Sequence, residues 1–379
     1  MYSQTGVTSL RTSSVQVIRA AQIALPSGIS GPHAVTCEQG IITSITPVSS
    51  DFEDVLLSPG FIDLQVNGID AVDVSHARDD DWPSLDQALL LQGTTTWCPT
   101  LISSPLDSYS TPYAQITRAQ FRSGQMRPEI AGIHLEGPFL GGAVGAHDPR
   151  FVQHTNSDWF SLIPNNVRIV TIGPENPAAM SAIGALCARE VLVSIGHTRA
   201  TDDVTVAAID AGARLVTHLF NGMSGVHHRH DGVALVALTD DRVSVSLIAD
   251  LVHVQAKAIN LAFRAKPLGV VLITDSVAYR SGAAQHRGIV QHHGAPRLPD
   301  GTLAGSSLAM NAAIKNVVQV CGVDLHLAIQ AASSTPARLL GLLDRGVIAV
   351  GGRADLVALD AKFEVTQTWV GGERTLSGR

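Results

Sequence analysis

Four titratable side chains stand where short apolar runs end. His134-Leu135-Glu136-Gly137-Pro138 closes one run and Gly196-His197-Thr198 a second; Thr217-His218-Leu219 lies in a third, and Thr274-Asp275-Ser276 closes a fourth. Two neutral imidazoles and a carboxylate can hold a divalent cation that keeps a position open for water. A further carboxylate beside that cation can move a proton. Zn²⁺ is the first choice for such nitrogen and oxygen donors, with Fe²⁺ or Mn²⁺ as alternatives. A single His on an apolar strand is more often a satisfied core residue. The joint placement changes that, because burying four such groups at one rim without a use carries a heavy desolvation penalty. Gln65 and Asn67, two apart in FIDLQVNG, point to one face of a strand. Amides are poor ligands beside imidazole. The pair is therefore expected to hold water or a loop by hydrogen bonds, leaving a single metal ion per subunit.

For these groups to meet, the chain must bring several strand ends to one rim. Eight buried-strand candidates occur in order: 60–66, 94–100, 130–136, 167–173, 190–197, 214–219, 243–250 and 269–275. Ala-rich helical segments such as TDDVTVAAIDAG and HVQAKAINLAFRA separate several of them. Eight β/α alternations predict an α/β chain folded as a (β/α)₈ TIM barrel, whose catalytic groups come from the C-terminal ends of the strands. A doubly wound sheet fits less well, since no GxGxxG follows the first strand. Short, glycine-punctuated strands mark both chain ends and predict one small β-sandwich built from the two. The expected boundaries are 1–57 and 345–379 for this unit, with residues 1–14 as a flexible tail, and 58–344 for the barrel.

Composition narrows the partners. Of 379 residues, 45% are hydrophobic and 16% charged, enough apolar matter for a large core. The net charge of −7 comes without basic runs, so nucleic acid is not expected. Cys37, Cys98, Cys187 and Cys321 are scattered, as in a reduced cytoplasmic protein. The polar start MYSQTGVTSLRTSS has no apolar core of a signal peptide, and no apolar run reaches the roughly 18 residues of a membrane span.

Beyond these readings, PGFIDLQVNG (59–68), GTTTWCPT (93–100), GIHLEGPFL (132–140), GAHDPRFV (145–152), IGPEN (172–176), SIGHTRA (194–200), THLFNGM (217–223), IADLVHV (248–254), LITDS (272–276), DGTLAGSSLAM (300–310) and GRADLVALD (352–360) follow one another over most of the chain. Together they resemble the N-acetylglucosamine-6-phosphate deacetylases of the amidohydrolase superfamily. The resemblance implies metal ligands Glu136, His197 and His218, with Asp275 as general acid/base. It places His147, Asn221, Gly222, Arg229 and His253 at the sugar phosphate; in the reaction His147 is expected to polarise the carbonyl or to hold a sugar hydroxyl. Gln65 and Asn67 match the mononuclear branch. It further implies a homodimer in which Arg229 reaches the neighbouring active site. One departure concerns the phosphate. Relatives often carry a Lys shortly before the Gly-x-His segment, where this chain reads Gly141-Gly142-Ala143-Val144.

The expected reaction is hydrolysis of an acetamide on an amino-sugar phosphate, releasing acetate. A related deacetylase for another N-acetylhexosamine phosphate is the nearest alternative. Cyclic-amide hydrolases and deaminases on this barrel present His-x-His on strand one and often a Lys on strand four, and VRIVTIG has none. A non-catalytic scaffold would be marked by lost ligands, yet all four groups are present. Without the resemblance, Arg229 in Val226-His227-His228-Arg229-His230 reads as part of a solvated loop.

Overall fold

The computed structural model describes residues 15–375 apart from 123, 125 and 231, so the expected tail at 1–14 lies outside the described residues. The chain opens with β1 (Gln16–Leu25), β2 (Gly28–Ser30), β3 (His33–Glu38), β4 (Ile41–Pro47) and β5 (Glu53–Pro59). Eight barrel strands follow: β6 (Phe61–Val66), β7 (Thr94–Ile102), β8 (Ile133–Glu136), β9 (Val167–Ile172), β10 (Leu192–Ile195), β11 (Leu215–Val216), β12 (Ser244–Ile248) and β13 (Val270–Ile273). The chain ends on β14 (Leu356–Leu359), β15 (Val365–Val370) and β16 (Glu373–Arg374).

Strands β6 to β13 are parallel neighbours in chain order, and all eight fall on the runs expected from the sequence. They are almost wholly buried because helices cover one face and side chains fill the barrel inside. The helix Ala256–Ala265 shows the patterning: Ile259, Ala262 and Phe263 are buried, while Leu261 is left half exposed. The helix Asp202–Asp210 starts on Thr201, whose hydroxyl accepts from Val204 N–H, and carries Asp202 and Asp203 in its first turn. Between β13 and β6 the barrel is joined at its C-terminal rim. There Val66 bridges Ser276, Asp275 N–H donates to Gln65 O (3.0 Å), and Asn67 N–H donates to Ser276 O (2.9 Å).

The two chain ends form one sheet in the order β16-β15-β14-β5-β1-β3-β4, with β2 on β1. It curls until its far parts meet. Ile41 bridges Arg353, and Ile42 N–H donates to Gly352 O (2.8 Å). Ile23, Val35, Ile42, Leu57, Leu356 and Trp369 fill the inside. A charged seam links sheet and barrel: Glu129 takes Arg345 at 2.8 Å and Arg353 at 2.9 Å, and Arg353 also reaches the buried Asp355 (2.9 Å).

Candidate active site

Glu136 is the last residue of β8. His197, His218 and Asp275 each stand two residues beyond β10, β11 and β13. All three have left-handed backbones, with φ of 50°, 32° and 47°. A non-glycine residue rarely adopts that conformation, and such strain collects at functional sites. Here it bends the chain off the strand while keeping each side chain over the barrel mouth.

The three donor atoms converge. His197 Nε2 lies 3.1 Å from Glu136 Oε1, His218 Nε2 lies 3.0 Å from the same oxygen, and the two Nε2 atoms are 3.1 Å apart. Their protonation follows from the other ring nitrogens. His197 Nδ1 meets Ala143 O at 3.0 Å and His218 Nδ1 meets Asn221 O at 3.1 Å. A carbonyl only accepts, so each Nδ1 carries the hydrogen and each Nε2 presents a lone pair. Two lone pairs and a carboxylate facing one another repel unless a cation lies among them. A tetrahedral ion bonding at ~2.0–2.1 Å holds its ligand atoms roughly 3.3 Å apart, which this triangle fits.

His147 is also close, with its Nε2 3.7 Å from Glu136 Oε2. By distance alone Glu136, His147 and His197 form a further possible metal cluster. The tautomer argues otherwise. Ser103 N–H donates to His147 Nδ1 (3.4 Å) and Ser103 Oγ lies 3.0 Å from it, so the hydrogen sits on Nε2 and points into the site. Burial, reinforced by His197, pushes the His147 pKa down to about 3, so the ring is a neutral donor. Asp275 Oδ1 accepts from Asn67 Nδ2 (2.7 Å) and Gln65 Nε2 (3.0 Å), and Gln65 Nε2 also reaches Glu136 Oε1 (3.0 Å). Asp275 Oδ2 has no such partner among the described residues. Burial, with Glu136 adding to it, pushes the Asp275 carboxyl up to about 7, where it can both take and return a proton near neutrality.

A cavity of about 260 Å³ opens above these groups and is lined by Asn67, His147, Asn221, Gly222, His253 and Asp275 among others. His253 is fixed by Asp250, whose Oδ2 lies 2.7 Å from Nδ1. Arg229, by contrast, is exposed on a turn among stacked histidines and does not line this cavity. His134, the other histidine of β8, is a core residue: Nδ1 meets Leu64 O (2.9 Å) and Nε2 meets Thr171 Oγ1 (2.8 Å).

Two supports escaped the sequence reading. Ser103 orients His147 from 44 residues away, and Glu175 in IGPEN ties loops together by accepting from Gly142 N–H (2.8 Å), Arg199 N–H (2.9 Å) and Thr198 Oγ1. The Glu175 carboxylate also explains Gly141 at the departure from the family pattern. A Cβ on Gly141 would stand 1.9 Å from Glu175 Oε1. Gly222, at φ +57°, similarly lies under His197, with room for no side chain.

The amidohydrolase family profile matches residues 56–375. N-acetylgalactosamine-6-phosphate deacetylase of Escherichia coli O157:H7 is 34% identical over 374 residues, 94% of this chain and 98% of that one. The human N-acetylglucosamine-6-phosphate deacetylase is 36% identical over 341 residues, covering 84% and 83%. Among solved structures, the N-acetyl-D-glucosamine-6-phosphate deacetylase of Mycobacterium smegmatis superposes with a TM-score of 0.87 at 30% identity, covering 95% of this chain and 100% of its own. With a parallel eight-stranded barrel and a Glu/His/His/Asp rim, the chain belongs to the amidohydrolase family, and within it to the N-acetylhexosamine-6-phosphate deacetylases.

Proposed function

We propose that this protein hydrolyses the acetamide of N-acetylglucosamine 6-phosphate to glucosamine 6-phosphate and acetate, a step of amino-sugar metabolism. The observation that carries this reading is the meeting of Glu136, His197 and His218 at 3.0–3.1 Å beside Asp275, which keeps one carboxylate oxygen unengaged. Glu136, His197 and His218 would hold one divalent ion, which we take to be zinc. When bound, it polarises the amide carbonyl and acidifies water. Asp275 Oδ2 takes the proton of the attacking water and passes it to the departing amine nitrogen. Gln65 and Asn67 fix Asp275 through its other oxygen. His147 Nε2–H donates to the amide oxygen as charge develops there. Asn221, Gly222 and His253 hold the sugar phosphate.

In the same reading two copies pair, so that Arg229, exposed and outside its own cavity, enters the cavity of the neighbouring subunit. The four unpaired cysteines fit a cytoplasmic enzyme. Among the described residues no helix is long and apolar enough to cross a membrane. We divide the chain into the barrel at 58–344 and a small unit from 1–57 and 345–379.

The Escherichia coli relative favours a second reading, the galactosamine epimer. Metal analysis combined with acetate release from both 6-phosphates tests both. Zinc near one equivalent and turnover of the glucosamine derivative are expected. A metal-loaded protein that releases acetate from neither sugar would refute both readings.

A further inference from the structure

We propose that Arg287 is the residue by which this enzyme recognises the anionic end of its substrate within a single subunit. The inference rests on the reading of a hexosamine phosphate as substrate. With a dication on Glu136, the charges of Glu136 and Asp275 are offset and Asp73 still leaves the cavity wall without net positive charge, so a phosphorylated sugar entering it gains from a cation of the protein. Arg287 is the sole Lys or Arg lining the cavity among the described residues. It sits directly after the short helix Gly282–His286, in the stretch 279–304, several of whose residues line the cavity. Ala284, Ile289 and Ala304 of that stretch pack together with Ala146, which joins it to the loop bearing His147.

Arg287 Nη2 donates to Ala146 O (2.5 Å), next to His147, and this bond fixes the plane of the guanidinium. No carboxylate lies within ion-pair distance of Arg287 among the described residues, although several other arginines of the chain are paired in this way. A half-buried guanidinium anchored through one N–H to a carbonyl, with the rest of its fork unengaged at a cavity wall, is arranged to take a phosphate oxygen pair. It also answers the departure at Gly141-Gly142-Ala143-Val144. The cation that relatives supply from that loop is supplied here by Arg287, which leans on the end of the same loop at Ala146.

The test uses the full-length, metal-loaded enzyme and its Arg287→Gln and Arg287→Lys variants. Each is assayed on N-acetylglucosamine 6-phosphate and on unphosphorylated N-acetylglucosamine. For Arg287→Gln, the ratio of kcat/KM between the two sugars is expected to fall at least ~10-fold, mainly through KM, with partial recovery in Arg287→Lys, which keeps the charge but not the fork. Independently of turnover, the rise in thermal midpoint that glucosamine 6-phosphate gives the wild type should shrink in Arg287→Gln. A ratio within about twofold of wild type in a folded Arg287→Gln protein overturns the inference and leaves the deacetylase reading standing. A wild type that turns over neither sugar sinks that reading, and this inference with it.

Discussion

At the scale of single residues, the proposed separation of roles rests on tautomers. His197 and His218 turn lone pairs toward a common centre, while His147 turns an N–H, and each choice is dictated by a carbonyl or a backbone amide behind the ring. Asp275→Asn should therefore keep the metal and lose turnover by roughly 10²-fold or more, read from kcat beside metal content. Near-wild-type turnover in that variant would remove Asp275 from proton transfer. A second carboxylate makes a different prediction. Asp63 is buried on β6 and accepts from Thr274 Oγ1 (2.6 Å), and burial pushes its pKa up to about 7. Its folded pKa is higher than its unfolded one, so the native state holds the extra proton between about pH 4 and pH 7. Relative to Asp63→Asn, the wild type should thus lose stability as pH rises through that window, by at most ~1.4 kcal/mol per unit. Denaturation at pH 4.5 and 7.5 measures it, and a difference that grows in the opposite direction contradicts the assignment. Glu136, His197, His218 and Asp275 were legible in the sequence because strand ends are legible. Ser103, Glu175 and Arg287 were not, since each acts on a partner tens of residues away and carries no local pattern.

Elements were easier to read than their supports. The eight barrel strands could be picked out because burial on both faces leaves short apolar runs bounded by turns. The stretch 279–304 showed no such pattern. Its hairpin pairs Val290 with Arg297, Val290 to His292 are exposed, and its role depends on what it covers. The Gly141 loop is another case where packing, not propensity, chose the residue. Gly141→Ala would push the Glu175 carboxylate off three donors at once. A loss of ~1–3 kcal/mol is expected, together with weaker turnover, because His197 hangs from Ala143 in the same loop. Chemical denaturation and kcat should move together. Unchanged values for both would show that Glu175 does not brace the site.

For the whole molecule, the curled sheet and the barrel are tied by a buried arginine. Arg345 meets Glu129, Asp344 and Asp355, so Arg345→Met leaves Asp355 facing Arg353 alone inside the interface. Asp355 keeps Arg353, and Glu129 and Asp344 stay partly in water, so the loss is smaller than for a stranded buried charge, and a fall of about 1–3 kcal/mol in unfolding free energy is expected. Chelation should act elsewhere. It should abolish turnover and lower the thermal midpoint, with zinc restoring both, because the facing lone pairs lose the cation between them. A chelated protein as active and as stable as before would exclude the metal.

Among the described residues the ring of strands is fastened shut where Asp63 meets Thr274 and where Gln65 to Asn67 meet Asp275 and Ser276, and Gln65 and Asn67 also grip the Asp275 carboxylate. A hoop whose clasp is also its working part cannot slacken there and stay in service. On gentle heating, hydrolysis should fade some degrees before the helical signal does, and amide hydrogens at this clasp should exchange ahead of those in β9 and β10.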